Sequence, residues 1–419
     1  MGLQQITGNE IAAGSIAATD LASASITGDK LGATSINANN IVGGTITTTQ
    51  IASNTISNTN IQTGAIENYS RAIGLLSGMR NRIINGAMVL NQRNTTVSAS
   101  NSGWQYAVDR WAAYQSIASS KFTLAGSSTA PTGFTNSLLA TSSSAYTVGS
   151  TDNFIVRQPI EGFNTGDLDW GTANAKTVTL SFWVRCSVTG TFAGFIQDAN
   201  AGTAQYPFTY TVNAANTFEY KTVTIVGPTI GSWQTNSNGG PAVVFNMGVG
   251  SSFFGTANVW TASAIYGVSG QTNLVATNGA TWFLTGVQFE VGTQATTFTT
   301  AGGSYGAELA LCQRYYWKQL ATANYARFGT GVCTGSSSVE MPLKLLVEMR
   351  SAPSWSASGS FRIRSNSVVS GVTVGDANQA STWGVLAQIT GASGLTSGYA
   401  ATLDSDAAPT AFIQYSAEL

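Results

Sequence analysis

An aliphatic side chain recurs at every fifth position through the first 66 residues, and this period constrains the fold more than any other feature of the chain. Five residues match neither the 3.6-residue period of an α-helix nor the two-residue period of a β-strand, so the backbone must bend once in each repeat. Ser or Thr precedes every second member from Ile16 to Ile56, which indicates a full unit of ten residues. The thirteen positions are Ile6, Ile11, Ile16, Leu21, Ile26, Leu31, Ile36, Ile41, Ile46, Ile51, Ile56, Ile61 and Ile66.

Two architectures bend the backbone in this way: a monomeric pentapeptide solenoid and an intertwined trimeric β-stalk. Solenoids usually place a small residue two positions before the aliphatic one, where this chain has Gln4, Asn9 and Asp29. Ordering a residue costs about 1–2 kcal/mol, whereas burying one Ile per repeat returns roughly 1.5–3 kcal/mol. Three chains that meet on an axis supply the missing burial. The sequence therefore favours a homotrimer with these residues on its axis, with the solenoid and a disordered segment as alternatives.

The composition favours strands over helices in the rest of the chain. Only 9% of the residues are charged, against roughly 25% in ordinary soluble domains, and long exposed helices need charged outer faces. Strand-type alternation at 177–186, 219–226 and 282–291, with Gly-rich turns between such runs, indicates a sandwich or a jelly roll. Only residues 303–320 show the apolar spacing of a helix.

These patterns predict an all-β protein with five segments. The aliphatic repeat ends at Ile66, and strand-type alternation returns after the predicted helix. The predicted order is a repeat stalk over 1–66, a short adaptor over 67–80, a jelly-roll sandwich over 81–302, a linking helix over 303–320 and a C-terminal β-sandwich over 321–419.

The charge and the cysteines exclude several classes of function. A net charge of −1 provides no basic field for nucleic acid, and no apolar run is long enough to insert into a membrane. The first residues lack the basic and apolar regions of an export signal, so a protein acting outside cells is expected to leave by lysis. The spacing of Cys186, Cys312 and Cys333 matches no metal or redox motif, which predicts reduced, packed thiols and neither metal nor cofactor.

The absence of His removes most hydrolytic mechanisms. Without His, neither a Ser-His-Asp triad nor a Cys-His pair can form. Glycan cleavage by two carboxylates remains, and the densest acidic cluster is Glu161, Asp167 and Asp169 beside Trp170. The same segment is typical of an exposed turn between strands. We therefore predict no catalytic residues and keep a glycan depolymerase as an alternative.

Exposed aromatic side chains are the best candidates for ligand contact, because the apolar face of a sugar needs a flat partner. Trp111, Trp183 and Trp282 lie within alternating strands, where packing is expected. Ser- and Gly-rich surroundings in the last domain, where recognition loops collect, instead favour glycan contact for Trp355, Trp383 and Tyr399.

Eight runs of residues are distinctive: 80–88, 91–93, 106–111, 157–162, 181–184, 281–292, 312–316 and 416–419. Together they resemble the tail-fibre and receptor-binding proteins of bacteriophages. The resemblance covers about residues 80–320 and, more weakly, 321–419. It implies a carbohydrate-binding-module-like jelly roll, a homotrimer and a role in host attachment.

We therefore expect a structural virion fibre that binds a host cell-surface glycan. It would be made in the host cytoplasm and released by lysis, with other virion tail or baseplate proteins as partners. Members of the family commonly carry an N-terminal domain that inserts into the baseplate or tail, whereas the repeat here starts at Ile6. A capsid decoration or head fibre without a receptor role is therefore an alternative.

The trimeric stalk predicts a native mass three times that of one chain, because the aliphatic ladder cannot complete a core within a single polypeptide. Native mass spectrometry of the purified protein checks this expectation. A stable monomer would contradict it.

Overall fold

The computed structural model describes Ala12, residues 15–22 and residues 79–419, and the chain divides into two units after Leu76. In the first unit, a 3-10 turn spans Ala18–Asp20, and the ladder residues Ile16 and Leu21 are 53% and 46% exposed in the single chain. Most of the predicted adaptor lies outside the described residues, so the stalk stays a prediction. The same holds for the ladder positions Ile6, Ile11, Ile26, Leu31, Ile36, Ile41, Ile46, Ile51, Ile56, Ile61 and Ile66.

The second unit begins with a jelly-roll sandwich of twelve strands. They are β1 (Val97–Ser98), β2 (Gln105–Val108), β3 (Trp111–Gln115), β4 (Phe122–Ser127), β5 (Ser137–Ser142), β6 (Asn153–Glu161), β7 (Val178–Cys186), β8 (Gly190–Asp198), β9 (Gln205–Val212), β10 (Glu219–Ile225), β11 (Gly239–Val249) and β12 (Thr281–Val291). One antiparallel sheet has the order β1-β4-β5-β12-β7-β10, and the other has the order β2-β3-β6-β11-β8-β9. Short 3-10 turns span Gly162–Asn164, Gly166–Leu168, Ser251–Phe253 and Leu274–Ala276.

Large aromatic side chains fill the space between the two sheets. The Phe245 ring lies 5.0 Å from Phe182 and 5.4 Å from Trp282. Trp111 and Trp282 are fully buried, as their positions in alternating strands predict. This packing confirms the all-β fold with a jelly-roll sandwich.

A bulge in β12 anchors the segment that precedes the first strand. Gly286 has φ +61° at a register shift in β12, which leaves the backbone groups of Val287 without partners in the sheet. The Gly86 carbonyl accepts the Val287 N–H at 3.0 Å, and the Asn81 amide donates to the Val287 carbonyl at 3.1 Å. The bulge therefore fixes residues 81–86, which precede the first strand, against the sandwich.

One α-helix, α1, spans Tyr305–Gln313, where the sequence predicts a helix over 303–320. The prediction is wrong about the extent of this helix, because Tyr316–Leu320 forms a strand instead. The Trp317 ring in that strand stacks on Tyr415 at 5.0 Å. Aromatic residues suit strands, and this pairing outweighs the helical pattern.

The C-terminal region, predicted as a β-sandwich, closes into a six-stranded barrel beside a three-stranded sheet. Its strands are β13 (Tyr316–Leu320), β14 (Arg327–Cys333), β15 (Val339–Lys344), β16 (Ser354–Ser358), β17 (Phe361–Arg364), β18 (Val368–Ser381), β19 (Gly384–Thr390), β20 (Ala400–Ser405) and β21 (Phe412–Ser416). The barrel order is β14-β15-β19-β18-β17-β20, and the sheet order is β13-β21-β16. Bulges in β14 and β18 bend these strands. A sheet of bent strands can close into a barrel, whereas flat sheets pack face to face as a sandwich.

The two ends of this region lie side by side, because Tyr316 at the start of β13 pairs with Ser416 at the end of β21. Leu403, Ile363 and Ile389 fill the barrel interior. None of the described helices combines the length and the hydropathy that a membrane-spanning segment needs.

Buried charges join the jelly roll to the end of the chain. Arg110 is 1% exposed, forms an ion pair with Glu418 and stacks on the Tyr315 ring at 3.6 Å. Arg93 lies 3.0 Å from the same Glu418 carboxylate and 3.2 Å from Asp109. Breaking a buried pair leaves an unpaired charge, which costs about 3–5 kcal/mol. These pairs therefore fix the last residues against the sandwich.

Gly86→Ala should destabilise the protein by roughly 1–3 kcal/mol, because the added methyl group has no room beside the backbone of β12. A Cβ atom at Gly86 would lie 2.2 Å from the Val287 carbonyl oxygen. Gly306→Ala is the matched control, since a Cβ atom there meets nothing within 4 Å and Ala favours helix α1. Thermal unfolding of both variants checks the expectation, and equal melting temperatures would contradict it.

Asp109→Asn should change how stability depends on pH. Burial raises the pKa of Asp109 from 3.8 to about 6, although Arg93 and the backbone N–H of Gln92 favour its charged form. A carboxyl with a raised folded-state pKa binds its proton more tightly when folded, so its contribution to stability grows as pH falls through about 6 and levels off near its unfolded pKa of about 3.8.

Relative to the Asn variant, the wild type should therefore gain roughly 1–3 kcal/mol of unfolding free energy between about pH 7 and about pH 4. Urea denaturation of both proteins at the two pH values measures this difference. A difference that stays constant would show that Asp109 does not titrate as a buried group.

Candidate functional site

Three loops meet at one edge of the jelly roll because of how its strands pair. β11 begins beside the end of β6, and β10 ends beside the start of β7. The loops 162–177 and 226–238 therefore leave the two sheets at the same edge. The longer loop 250–280 returns to this edge through an isolated bridge between Thr261 and Gln205.

These loops supply three Trp side chains that pack edge to face. The Trp170 and Trp233 rings lie 4.8 Å apart at 75°, and Trp260 lies 5.5 Å and 5.7 Å from them. Trp170 is buried beneath the other two, which are half-buried. Each such pair adds about 0.5–1.5 kcal/mol beyond its buried area, so the cluster is a firm platform.

The indole N–H groups of all three rings are already used inside the protein. With their donors occupied, the rings keep a fixed orientation and offer their carbon faces for contact. The acceptors are backbone carbonyls: Lys176 at 2.8 Å for Trp170, Ile230 at 2.9 Å for Trp233 and Val226 at 2.6 Å for Trp260.

Two glycines in the left-handed region make room for the Trp233 ring. Gly171 has φ +85°, and a Cβ atom there would lie 3.1 Å from Cδ1 of Trp233. Gly231 has φ +96°, and its Cβ atom would lie 2.8 Å from Nε1 of the same ring. Other residues would be strained at both positions and would push the ring away.

A cleft of about 180 Å³ opens beside Trp170 and Trp233. It combines an aromatic wall with a polar rim, so it suits a small ring that has one apolar face and several hydroxyl groups. The Asp169 carboxylate on this rim lies 3.6 Å from the Lys176 ammonium. When ionised, this carboxylate can accept hydrogen bonds but cannot donate them. The polar rim residues are Thr165, Asp169, Thr172, Gln234 and Thr235.

The acidic cluster proposed from the sequence does not act as one group. Glu161 is 1% exposed and faces away from the cleft, where Arg314 binds it at 2.6 and 2.9 Å and the Tyr315 hydroxyl donates to it at 2.6 Å. Asp167 forms an ion pair with Arg82 at 2.7 Å. Asp169 lines the cleft. Among the residues that the structure describes, no set of three acidic or Cys side chains is placed to hold a metal ion.

The three aromatic residues predicted to bind glycan do not share one site. Trp383 and Tyr399 are 57% and 54% exposed, but they lie near opposite ends of β15. The Trp383 carbonyl accepts from Leu345, just after β15 ends. The Tyr399 carbonyl accepts from Cys333 on β14, which pairs with Val339 at the start of β15. The length of that strand separates them by about 17 Å. Trp355 is half-buried in β16, where its ring stacks on Tyr415 at 6.2 Å. A role for these residues in binding stays a prediction.

Sequence reasoning missed Trp233 and Trp260, although a signal was available. Trp233 lies in the run Gly231–Gly240, a Ser-, Asn- and Gly-rich separator between two strands. The same composition suggested ligand contact for Trp383 in the last domain. Only the strand pairing, however, reveals that the loops of Trp170, Trp233 and Trp260 meet.

Comparisons with known proteins find distant structural likeness only, since no family model and no curated sequence matches the chain. The enzymatically active domain of bacteriophage CBA120 tailspike protein 4 aligns at 14% identity over 50% of this chain and 21% of its own, with a TM-score of 0.28. A CBM4 structure aligns at 16% identity over 50% and 98% of the two chains, with a TM-score of 0.26.

A family 11 carbohydrate-binding module from Clostridium thermocellum aligns at 8% identity over 46% of this chain and 96% of its own, with a TM-score of 0.25. The alignment with the tailspike spans about a fifth of that protein. Similarity this low carries no inference about function, so the function rests on the residues of the cleft.

Proposed function

We propose that this protein is the structural subunit of a bacteriophage tail fibre or tail tip, and that it attaches the virion to its host by binding a surface glycan. The cleft beside Trp233 is the observation that supports glycan binding most. A pyranose ring has an apolar C–H face and a rim of hydroxyl groups, which match a tryptophan face and the side chains of Asp169, Gln234 and Thr235.

The fibre part of the proposal rests on the aliphatic ladder from Ile6 to Ile66 and on the motifs that resemble phage fibre proteins. In this proposal three copies of the chain form the stalk and each carries one jelly roll. The partners are other tail or baseplate proteins and the host glycan. The protein is made in the host cytoplasm, leaves by lysis and acts in the virion.

We also propose that the protein binds its glycan without cleaving it. Cleavage by paired carboxylates needs an acid and a second carboxylate on either side of the scissile bond. Glu161 is held by Arg314 and Tyr315, and Asp167 is held by Arg82, which leaves Asp169 at the cleft. A head fibre without a receptor role would have no need for this aromatic cleft.

Trp233→Ala should weaken binding of the protein to susceptible host cells by roughly tenfold or more, as expected for the loss of a central aromatic contact. Trp383→Ala is the comparison variant, because it removes a large exposed side chain from the barrel at a position that the sequence predicts to contact glycan. Flow cytometry with fluorescently labelled full-length protein measures both variants, and a glycan array identifies the sugar.

Normal cell binding by the Trp233 variant would contradict the proposal that the cleft binds the host glycan. Loss of binding in the Trp383 variant alone would move the site to the barrel. Equal binding of the wild type to susceptible and resistant cells would contradict the attachment role and favour the head fibre.

A further inference from the structure

Three arginine side chains surround one carboxylate on the outer face of the barrel. Asp404 on β20 is only 2% exposed; it lies 3.2 Å from Arg327 and 3.7 Å from both Arg362 and Arg364. Strand register brings them together, since Arg327 on β14 and Arg362 on β17 both pair with Asp404. Three positive groups and one negative group give this patch a charge of +2, on a chain whose formal charge is −1.

Most hydrogen-bond donors of the patch have no partner among the described protein residues. Each guanidinium carries five N–H donors, yet only Nε of Arg327 lies within hydrogen-bond distance of Asp404. Within residues 79–419, the buried Nε of Arg362 has no partner. One arginine would have neutralised Asp404, so a purely structural role does not account for three.

The surroundings of the patch suit a charged polymer. Arg327 and Arg364 lie on strands to either side of β20, separated by two strand spacings or roughly 10 Å, and their side chains are 50% and 48% exposed. Both guanidinium groups reach inward to the same Asp404 carboxylate, so one stretch of a chain with repeated anionic groups can contact both. The Arg362 guanidinium lies 3.8 Å from the centre of the Tyr325 ring, and this Tyr is 49% exposed, which provides a flat surface for a sugar.

We infer that the patch formed by Arg327, Arg362 and Arg364 binds an acidic polysaccharide through the carboxylate or sulfate groups of its sugars. Planar guanidinium groups bind such anions through paired hydrogen bonds. The patch is built from barrel strands, whereas the Trp233 cleft is built from loops of the jelly roll. The two sites are therefore separate, and this inference does not depend on the proposed function.

Binding of the full-length protein to polygalacturonate, dextran sulfate, neutral dextran and duplex DNA tests the inference by biolayer interferometry. We expect binding to polygalacturonate, to dextran sulfate or to both, weakened by added salt, and none to neutral dextran. The two acidic polymers distinguish carboxylate from sulfate recognition. Equal binding to neutral dextran, or tighter binding to DNA than to either acidic polymer, would overturn the inference.

The double substitution R327Q/R364Q should weaken this binding by roughly tenfold or more, since it removes two charge-assisted contacts. Lys344→Gln removes one positive charge from the exposed end of β15 and should leave binding within about twofold. A loss in the Lys344 variant as large as in the double variant would show non-specific attraction and overturn the inference.

Asp404→Asn provides a test that loss of folding cannot imitate. It removes the competing carboxylate and raises the charge of the patch from +2 to +3, so it should strengthen binding to the acidic polymer. A purely structural cluster predicts a lower melting temperature with no gain in binding. Unchanged or weaker binding by a folded Asp404→Asn protein would overturn the inference.

Discussion

The arrangement of the C-terminal region depends on one set of buried charges. Arg110 and Arg93 of the jelly roll bind Glu418 near the end of the chain, and Glu161 binds Arg314 just after the helix. Charges are expensive to bury, and each of these is tolerated because its partner lies within contact distance. The chain is poor in charged residues, yet it concentrates Arg93, Arg110, Glu161, Arg314 and Glu418 here, and we call this group the charged joint. The joint therefore fixes the barrel on the sandwich with the precision that paired charges require.

Five of the eight motifs that carry the resemblance to phage fibre proteins meet at the charged joint, and none of the eight lines the cleft. Residues 91–93, 106–111, 157–162, 312–316 and 416–419 are separate runs of the sequence, and side chains from all five take part in the buried network. The cleft residue Trp233 lies outside every such motif. The resemblance is therefore informative about how the domains are joined, whereas the identity of the ligand depends on loops that the motifs do not include.

The local sequence pattern predicted the strands whose burial follows from alternating apolar residues. It was wrong where pairing with a distant segment decides the secondary structure. The strands β7 and β12 follow from their alternating apolar residues, and so does the burial of Trp282. The end of α1 did not follow, because Tyr316–Leu320 pairs with a strand almost a hundred residues later. The three arginines around Asp404 come from strands β14 and β17, which no local pattern places beside β20.

The pairing of Tyr316 with Ser416 means that the chain enters and leaves the C-terminal region at neighbouring points of one sheet. An inserted module whose ends lie close together can be exchanged without disturbing its host fold. The barrel strands lie between these two ends, but the same segment also returns to the end of the chain, since Arg350 donates to the carbonyls of Ala417 and Glu418 and to that of Ser237 in the jelly roll. A different barrel would therefore leave the jelly roll and its charged joint intact only if it kept Arg350 and the strand β16 that pairs with β21. Such an exchange would change the outer surface of the barrel and leave the contacts between the jelly roll and the end of the chain in place.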